Sequence, residues 1–183
     1  VSKIALVALF AAFTAAGAFL IIPIGPVPIV LQNMFVVLSG LILGPVLGTA
    51  AIALYTLSGI LGLPVFAGGL GGIAGFAGPT GGFRVGYIFA AFLAGFIAGR
   101  PKPGIKTARP RLVIAAASGF LVVYVPGILW LAVGHNLSLF GAGGAFAIGF
   151  LPFIIGDVLK GIVSVFIAPR LRTTAAELLS GRK

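Results

Sequence analysis

Three charged residues stand apart from the rest of the charge on this chain: Arg84, Asp157 and Lys160. Each lies in an apolar stretch. An ionisable side chain at the bilayer centre costs about 3 kcal/mol on insertion scales, and such residues usually mark function. Asp157 and Lys160 are three positions apart, so on a helix they share a face and can interact. Arg84 follows the turn Gly78-Pro79-Thr80-Gly81-Gly82. If the three converge, their formal charges sum to +1. A cavity of that charge suits a monoanionic small molecule. One cation would pair with a carboxylate, an arginine in a bidentate fork, and the aspartate would accept N–H bonds from a polar head group. The alternatives are a neutralising Asp157–Lys160 pair that lets its helix insert, and an Arg84 that snorkels to the outer interface.

Gln32 and Asn33 open an apolar run and are further ligand candidates; equally they could cap the helix or bond to backbone. His135 reads as an interfacial residue. Tyr55, Tyr87 and Trp130 read as interface anchors or packing residues. The chain has no cysteine, one histidine and two acids. That excludes a disulfide frame and a Cys-based metal site, and it leaves most hydrolytic constellations unavailable. There is no G-x-x-x-x-G-K-[ST], no H-E-x-x-H and no G-x-S-x-G. The expected chemistry is binding and movement, with no catalytic residues, no metal and no cofactor. Any nucleotide energy must come from another subunit.

The elements that position these residues follow from composition. Of 183 residues, 60% are hydrophobic and 8% charged, with a mean hydropathy of +1.26. Soluble domains are about a quarter charged, and disordered chains lack apolar residues. An integral membrane protein remains, with the lipid bilayer as its first partner. The net charge of +10 is concentrated at Lys3, in the loop 100–111 (Arg100, Lys102, Lys106, Arg109, Arg111) and in the tail 169–183 (Arg170, Arg172, Arg182, Lys183). These cations flank apolar runs instead of forming a surface stripe, so nucleic acid is not expected. Positive residues in short loops mark the cytoplasmic side. Both ends and the 100–111 loop should share that side, so even numbers of crossings separate them.

A crossing needs roughly 20 apolar residues. Ile4–Ile22 is the first, too long for a signal-peptide core. Pro23, Pro26 and Pro28 then impose an extended outer connection. Helices are predicted at 29–43 and 47–63, either side of a turn at Gly44-Pro45-Val46-Leu47-Gly48. The apolar, glycine-rich segment 64–82 is expected to be packed or re-entrant, because irregular backbone at membrane depth must be buried or line a cavity. Further helices are predicted at 83–99, 112–134 and 147–168. The counts are four and two, both even. The fold expected is therefore a single all-α domain, residues 1–183, of six transmembrane helices with cytoplasmic termini. Gly/Pro-rich outer loops (23–28, 64–82, 135–146) cover a substrate cavity. In the first helix, Ala8, Ala12 and Ala16 repeat at spacing four, with Ala11 and Ala15 beside them. That suits close helix packing, internal or against another membrane subunit.

Five motifs occur in order: P-x-x-P-V-P-x-x-L-Q (Pro23 to Gln32), L-x-L-G-P-x-x-G (Leu41 to Gly48), G-L-P-V-F-A-G-G (Gly62 to Gly69), G-P-T-G-G (Gly78 to Gly82) and P-F-x-x-G-D-x-x-K (Pro152 to Lys160). Their combination over nearly the whole chain resembles the BioY family, the biotin-binding S components of energy-coupling factor (ECF) transporters. The resemblance implies a six-helix protein of the bacterial cytoplasmic membrane that captures biotin at the outer face. Uptake would be driven by a transmembrane coupling subunit and cytoplasmic ATPases. It implies that Arg84, Asp157 and Lys160 bind substrate and that Ala8 and Ala12 dock the coupling subunit. Val46 departs from the family's G-P-R-x-G. Biotin agrees with the residue reading: its carboxylate needs a cation, its ureido group a donor and an acceptor, its sulfur ring an apolar wall. Asp157 is expected to meet the ureido end and Arg84 or Lys160 the carboxylate. An S component for another small anionic vitamin, or a self-sufficient secondary transporter using Asp157 as proton carrier, are the rivals. A homo-oligomer stays open.

Overall fold

The structure, a computed structural model, describes residues 3–22 and 29–181. The three-proline connection 23–28 and the terminal cations Arg182 and Lys183 lie outside the described residues.

In hydrocarbon the backbone must satisfy its own hydrogen bonds, which selects helix for uninterrupted apolar sequence. The helices are α1 (Lys3–Gly17), α2 (Gln32–Ile60), α3 (Gly72–Ala77), α4 (Gly81–Ala98), α5 (Arg109–Val122), α6 (Tyr124–Gly134), α7 (Ala145–Gly149) and α8 (Ile154–Ser180). Two short strands, β1 (Ile21–Ile22) and β2 (Ile29–Val30), pair antiparallel with Ile21 opposite Val30. Gln32–Ile60, Gly81–Ala98 and Arg109–Gly134 are long and apolar enough to cross a membrane. The chain is a multi-pass membrane protein. Large apolar side chains such as Phe89, Phe92 and Phe96 cover the outside of α4, where lipid replaces water as solvent.

The predicted turn at 44–48 is present inside α2. Gly44 has φ +81°, a left-handed conformation that glycine adopts without steric cost. A Cβ at Gly48 would lie 2.8 Å from Gly40 Cα. In a straight helix eight residues span about 12 Å, so the arms 32–43 and 45–60 fold back on each other. Ser39 closes the joint, donating to Val36 O at 2.6 Å and lying 3.3 Å from Gly48 O. Pro45 starts the second arm, where a missing N–H costs nothing.

Several boundaries differ from expectation. The first helix ends at Gly17, not Ile22, because Ile21 and Ile22 pair as a strand. The second helix begins at Gln32, not 29, because Ile29 and Val30 pair as a strand. The fifth begins at Arg109 and is jointed at Val123, ahead of Pro126. The last begins at Ile154, after a separate α7, and continues through Pro169 to Ser180. The tail is thus helical as far as Ser180, and Arg172 is not a surface charge. It is buried, donating to Leu41 O, to Ala98 O at 3.1 Å, to Gly99 O at 3.0 Å and to Thr107 Oγ1 at 3.1 Å. The ends of the first arm of α2 and of α4 expose carbonyls with no helical partner. A cation that bonds them also meets the negative ends of both helix dipoles.

The main core joins α1, α2, α4, α5 and α8 around Leu41, Ile42, Leu112 and Phe120. Arg172 bonds at one end of this core, at Leu41 and Ala98. Among the described residues the other buried charges, Arg84, Asp157 and Lys160, gather at the opposite ends of the same helices.

Candidate binding site

Four helices converge there. The start of α2 supplies Gln32 and Asn33, α4 supplies Arg84 and Tyr87, α6 supplies Tyr124, and α8 supplies Asp157 and Lys160. Arg84, Asp157, Lys160 and Gln32 are all at least nine-tenths buried. Arg84, Lys160, Gln32 and Asn33, together with loop residues, line a cavity of about 330 Å³, a size typical of small-molecule sites; Asp157 is bonded to Lys160, Asn33 and Tyr124 of that lining. Phe83, Leu131 and Phe153 add apolar wall.

The polar groups form two poles. At the first, Lys160 Nζ lies 2.6 Å from Asp157 Oδ1. It also donates to Asn33 Oδ1 at 2.6 Å and to Val30 O at 3.2 Å. An ammonium has three donors, and all three are used. Asn33 Nδ2 donates to Asp157 Oδ1 at 2.8 Å, and the Tyr124 hydroxyl donates to Oδ2 at 2.5 Å. The amide orientation of Asn33 follows from its neighbours: the ammonium can only donate and the carboxylate only accept. Asp157 lies in the first turn of α8, where the helix dipole favours negative charge. This pole is neutral overall.

At the second pole stands Arg84. It donates to Gly75 O at 2.8 Å, and its guanidinium carbon lies 4.2 Å from the centre of the Phe66 ring, a cation–π contact. The Tyr55 hydroxyl, whose ring packs edge-on against Phe66, accepts from Gln32 Nε2. Among the described residues no acid pairs with Arg84. The net +1 of the site therefore rests on this one residue.

The glycine-rich segment 64–82 is expected to be packed or re-entrant, but much of it is exposed, with Leu70 and Ile73 on the outside; it is held at a few points. Phe66 is fully buried, α3 follows, and two carbonyls anchor the segment: Gly75 O to Arg84 and Gly78 O to Trp130 Nε1 at 3.1 Å. Gly82 permits close approach, since a Cβ there would lie 2.3 Å from Trp130 Cβ.

The structure thus brings Arg84, Lys160, Gln32 and Asn33 around one cavity, while Asp157 sits behind its wall, bonded to Lys160, Asn33 and Tyr124. His135 is exposed, and the cavity lining does not include it. Tyr87 lines the cavity, and Tyr55 packs in the core against Phe66, as the packing reading expects. Sequence reasoning missed Tyr124. It is one aromatic residue in an apolar helix, and its partner is 33 positions away. On α1, Ala8, Ala12 and Ala16 face outward, while Leu6, Phe10 and Thr14 are buried. The alanine row is therefore not used in internal packing.

Comparison with known proteins bears on the family and the fold. The BioY family profile matches residues 1–177. A probable biotin transporter BioY of Pyrococcus horikoshii is 44% identical, over 93% of this chain and 96% of its own. A biotin transporter BioY of Thermotoga maritima is 37% identical, over 92% and 95%. The crystal structure of the S-component for biotin from an ECF-type ABC transporter superposes with a TM-score of 0.76. Its sequence is 36% identical, with 93% of this chain and 90% of that one covered.

Proposed function

The chain belongs to the BioY family, and from that premise we propose that it captures biotin and delivers it across the membrane as the S component of an ECF-type transporter. It is a transport subunit, not an enzyme. The observation that carries the substrate reading is the separation of the two poles. A neutral donor–acceptor cluster suits a ureido group, and an arginine with no acid partner suits a carboxylate. Biotin carries those two groups at opposite ends of an apolar body. Asp157 Oδ2 accepts one bond from Tyr124, which leaves a lone pair for a ureido N–H. Arg84 is then the carboxylate ligand, since every donor of Lys160 is engaged. Gln32 and Asn33 position the two poles.

In the same reading the chain crosses the cytoplasmic membrane six times, with the two arms of α2 as separate crossings. The ends and the 100–111 loop face the cytoplasm. Ala8 and Ala12 dock a transmembrane coupling subunit, and cytoplasmic ATPases provide the energy.

The test is equilibrium binding of radiolabelled biotin to purified protein, against biotin whose carboxylate is capped as an amide. Wild type should prefer the free acid by at least about tenfold, the worth of about 1.4 kcal/mol. Arg84→Ala should bind both forms equally and weakly. No saturable binding of either form overturns the substrate, and equal binding by wild type overturns the role of Arg84. Uptake driven by a proton gradient without partner subunits would favour a secondary transporter instead.

A further inference from the structure

We propose that the groove between α5 and α8 is a binding site for one anionic phospholipid, with an acyl chain along the groove and the phosphate at Arg109. The groove is a second cavity, of about 590 Å³, on the outer face of the bundle. Its walls are apolar and its floor is low because Ala116, Ala117 and Gly161 are small. Packing does not require the glycine. A Cβ at Gly161 would sit 3.7 Å from the Phe120 ring, an ordinary contact. The empty width is left for something outside the chain.

Shape and charge point to a lipid. Arg109 and Tyr124 both line the groove. Fifteen residues of helix separate them, about 22 Å of rise, which exceeds half of the roughly 30 Å hydrocarbon core. An extended acyl chain entering at Arg109 therefore passes the midplane within the groove. Arg109 is exposed and forms no ion pair among the described residues. It opens α5, whose first turn has no capping side chain, so the positive helix end reinforces it. The acid at the far end, Asp157, is already answered by Lys160 at 2.6 Å. An anion is drawn to one end only, the end beside the basic loop.

The far end matters for the substrate site. Tyr124 and Asp157 line the groove, while Tyr124 and Lys160 line the substrate cavity. The hydrogen-bonded Tyr124–Asp157 pair is the wall between them. The chain end would exclude water behind that pair and strengthen its electrostatics. This consequence rests on the biotin reading; the lipid site does not.

The experiment is native mass spectrometry of protein extracted from vesicles of equal phosphatidylglycerol and phosphatidylcholine. Wild type should retain one phosphatidylglycerol, favoured at least fivefold. Arg109→Gln should remove the preference. Ala117→Trp, which fills the groove, should remove retention of both lipids. If that variant fails to fold, Gly161→Leu takes its place. Equal retention of both lipids by wild type overturns the proposal. So does wild-type retention by a folded groove-filling variant, or a lipid-free dimer that buries the groove.

Discussion

Gln32 and Asn33 are neighbours in sequence, yet they serve opposite poles of one cavity. Gln32 donates to the Tyr55 hydroxyl beside Arg84, and Asn33 bridges Asp157 and Lys160. Successive residues on a helix point about 100° apart, so one helix start can address two sites. The α2 start is thereby fixed in register by both poles. The two substitutions should differ. Asn33→Ala removes two charge-assisted bonds and should cost about 3 kcal/mol of stability, whereas Gln32→Ala removes one neutral bond worth about 1 kcal/mol. Thermal unfolding of the purified variants reads the difference, and equal losses would contradict the two-pole geometry.

The Asp157–Lys160 pair should behave as a unit. Both are buried, and removing one partner of a buried pair costs about 3–5 kcal/mol because the other charge is left uncompensated. Asp157→Asn and Lys160→Met should each destabilise by that order. The double variant should be less destabilised than the sum of the singles. Biotin affinity should stay lowered in the double variant, because the amide oxygen is a weaker ureido acceptor than the carboxylate. A double-mutant cycle on unfolding, run beside binding isotherms, separates the two effects. Additive losses of stability would mean that the pair is not coupled.

Much of this site was legible in the sequence because apolar surroundings make polar residues conspicuous. Arg84, Asp157 and Lys160 stood out without any knowledge of contacts. The i, i+3 spacing correctly joined the last two, and Gly44-Pro45 marked the reversal inside α2. The neutrality of one pole was not legible. It depends on Asn33 reaching a residue 124 positions away, and local spacing carries no trace of such a pairing. Tyr124 escaped for the same reason. Arg172 was misread because it sits among tail cations. Only the folded chain shows that its helix continues past Pro169 and returns it to the ends of α2 and α4.

That buried Arg172 predicts a loss of stability without a loss of affinity. Its guanidinium bonds carbonyls of Leu41, Ala98 and Gly99 and does not line the cavity. Arg172→Ala should leave three carbonyls unpaired and lower stability by about 3 kcal/mol or more. Arg172→Lys should recover only part, since a point charge cannot reproduce a planar fork. Biotin affinity per folded molecule should stay within about twofold of wild type, below the tenfold that 1.4 kcal/mol would give. A tenfold loss in stable protein would instead tie this end of the bundle to the site.

The outward alanines of α1 lead to the last prediction. Ala8 and Ala12 are exposed while the opposite face of α1 packs on α2. Small residues at spacing four permit helix backbones to approach closely in a membrane. A bulky substitution there should leave the chain itself intact and block only a partner. Ala12→Trp should therefore bind biotin with wild-type affinity. In cells holding the coupling subunit and ATPases it should lose at least about nine-tenths of uptake, the tenfold effect of 1.4 kcal/mol in assembly. Phe13→Ala on a neighbouring exposed position is the control and should transport normally. Full uptake by Ala12→Trp, with co-purification of the partners unchanged, would move the docking surface away from this row.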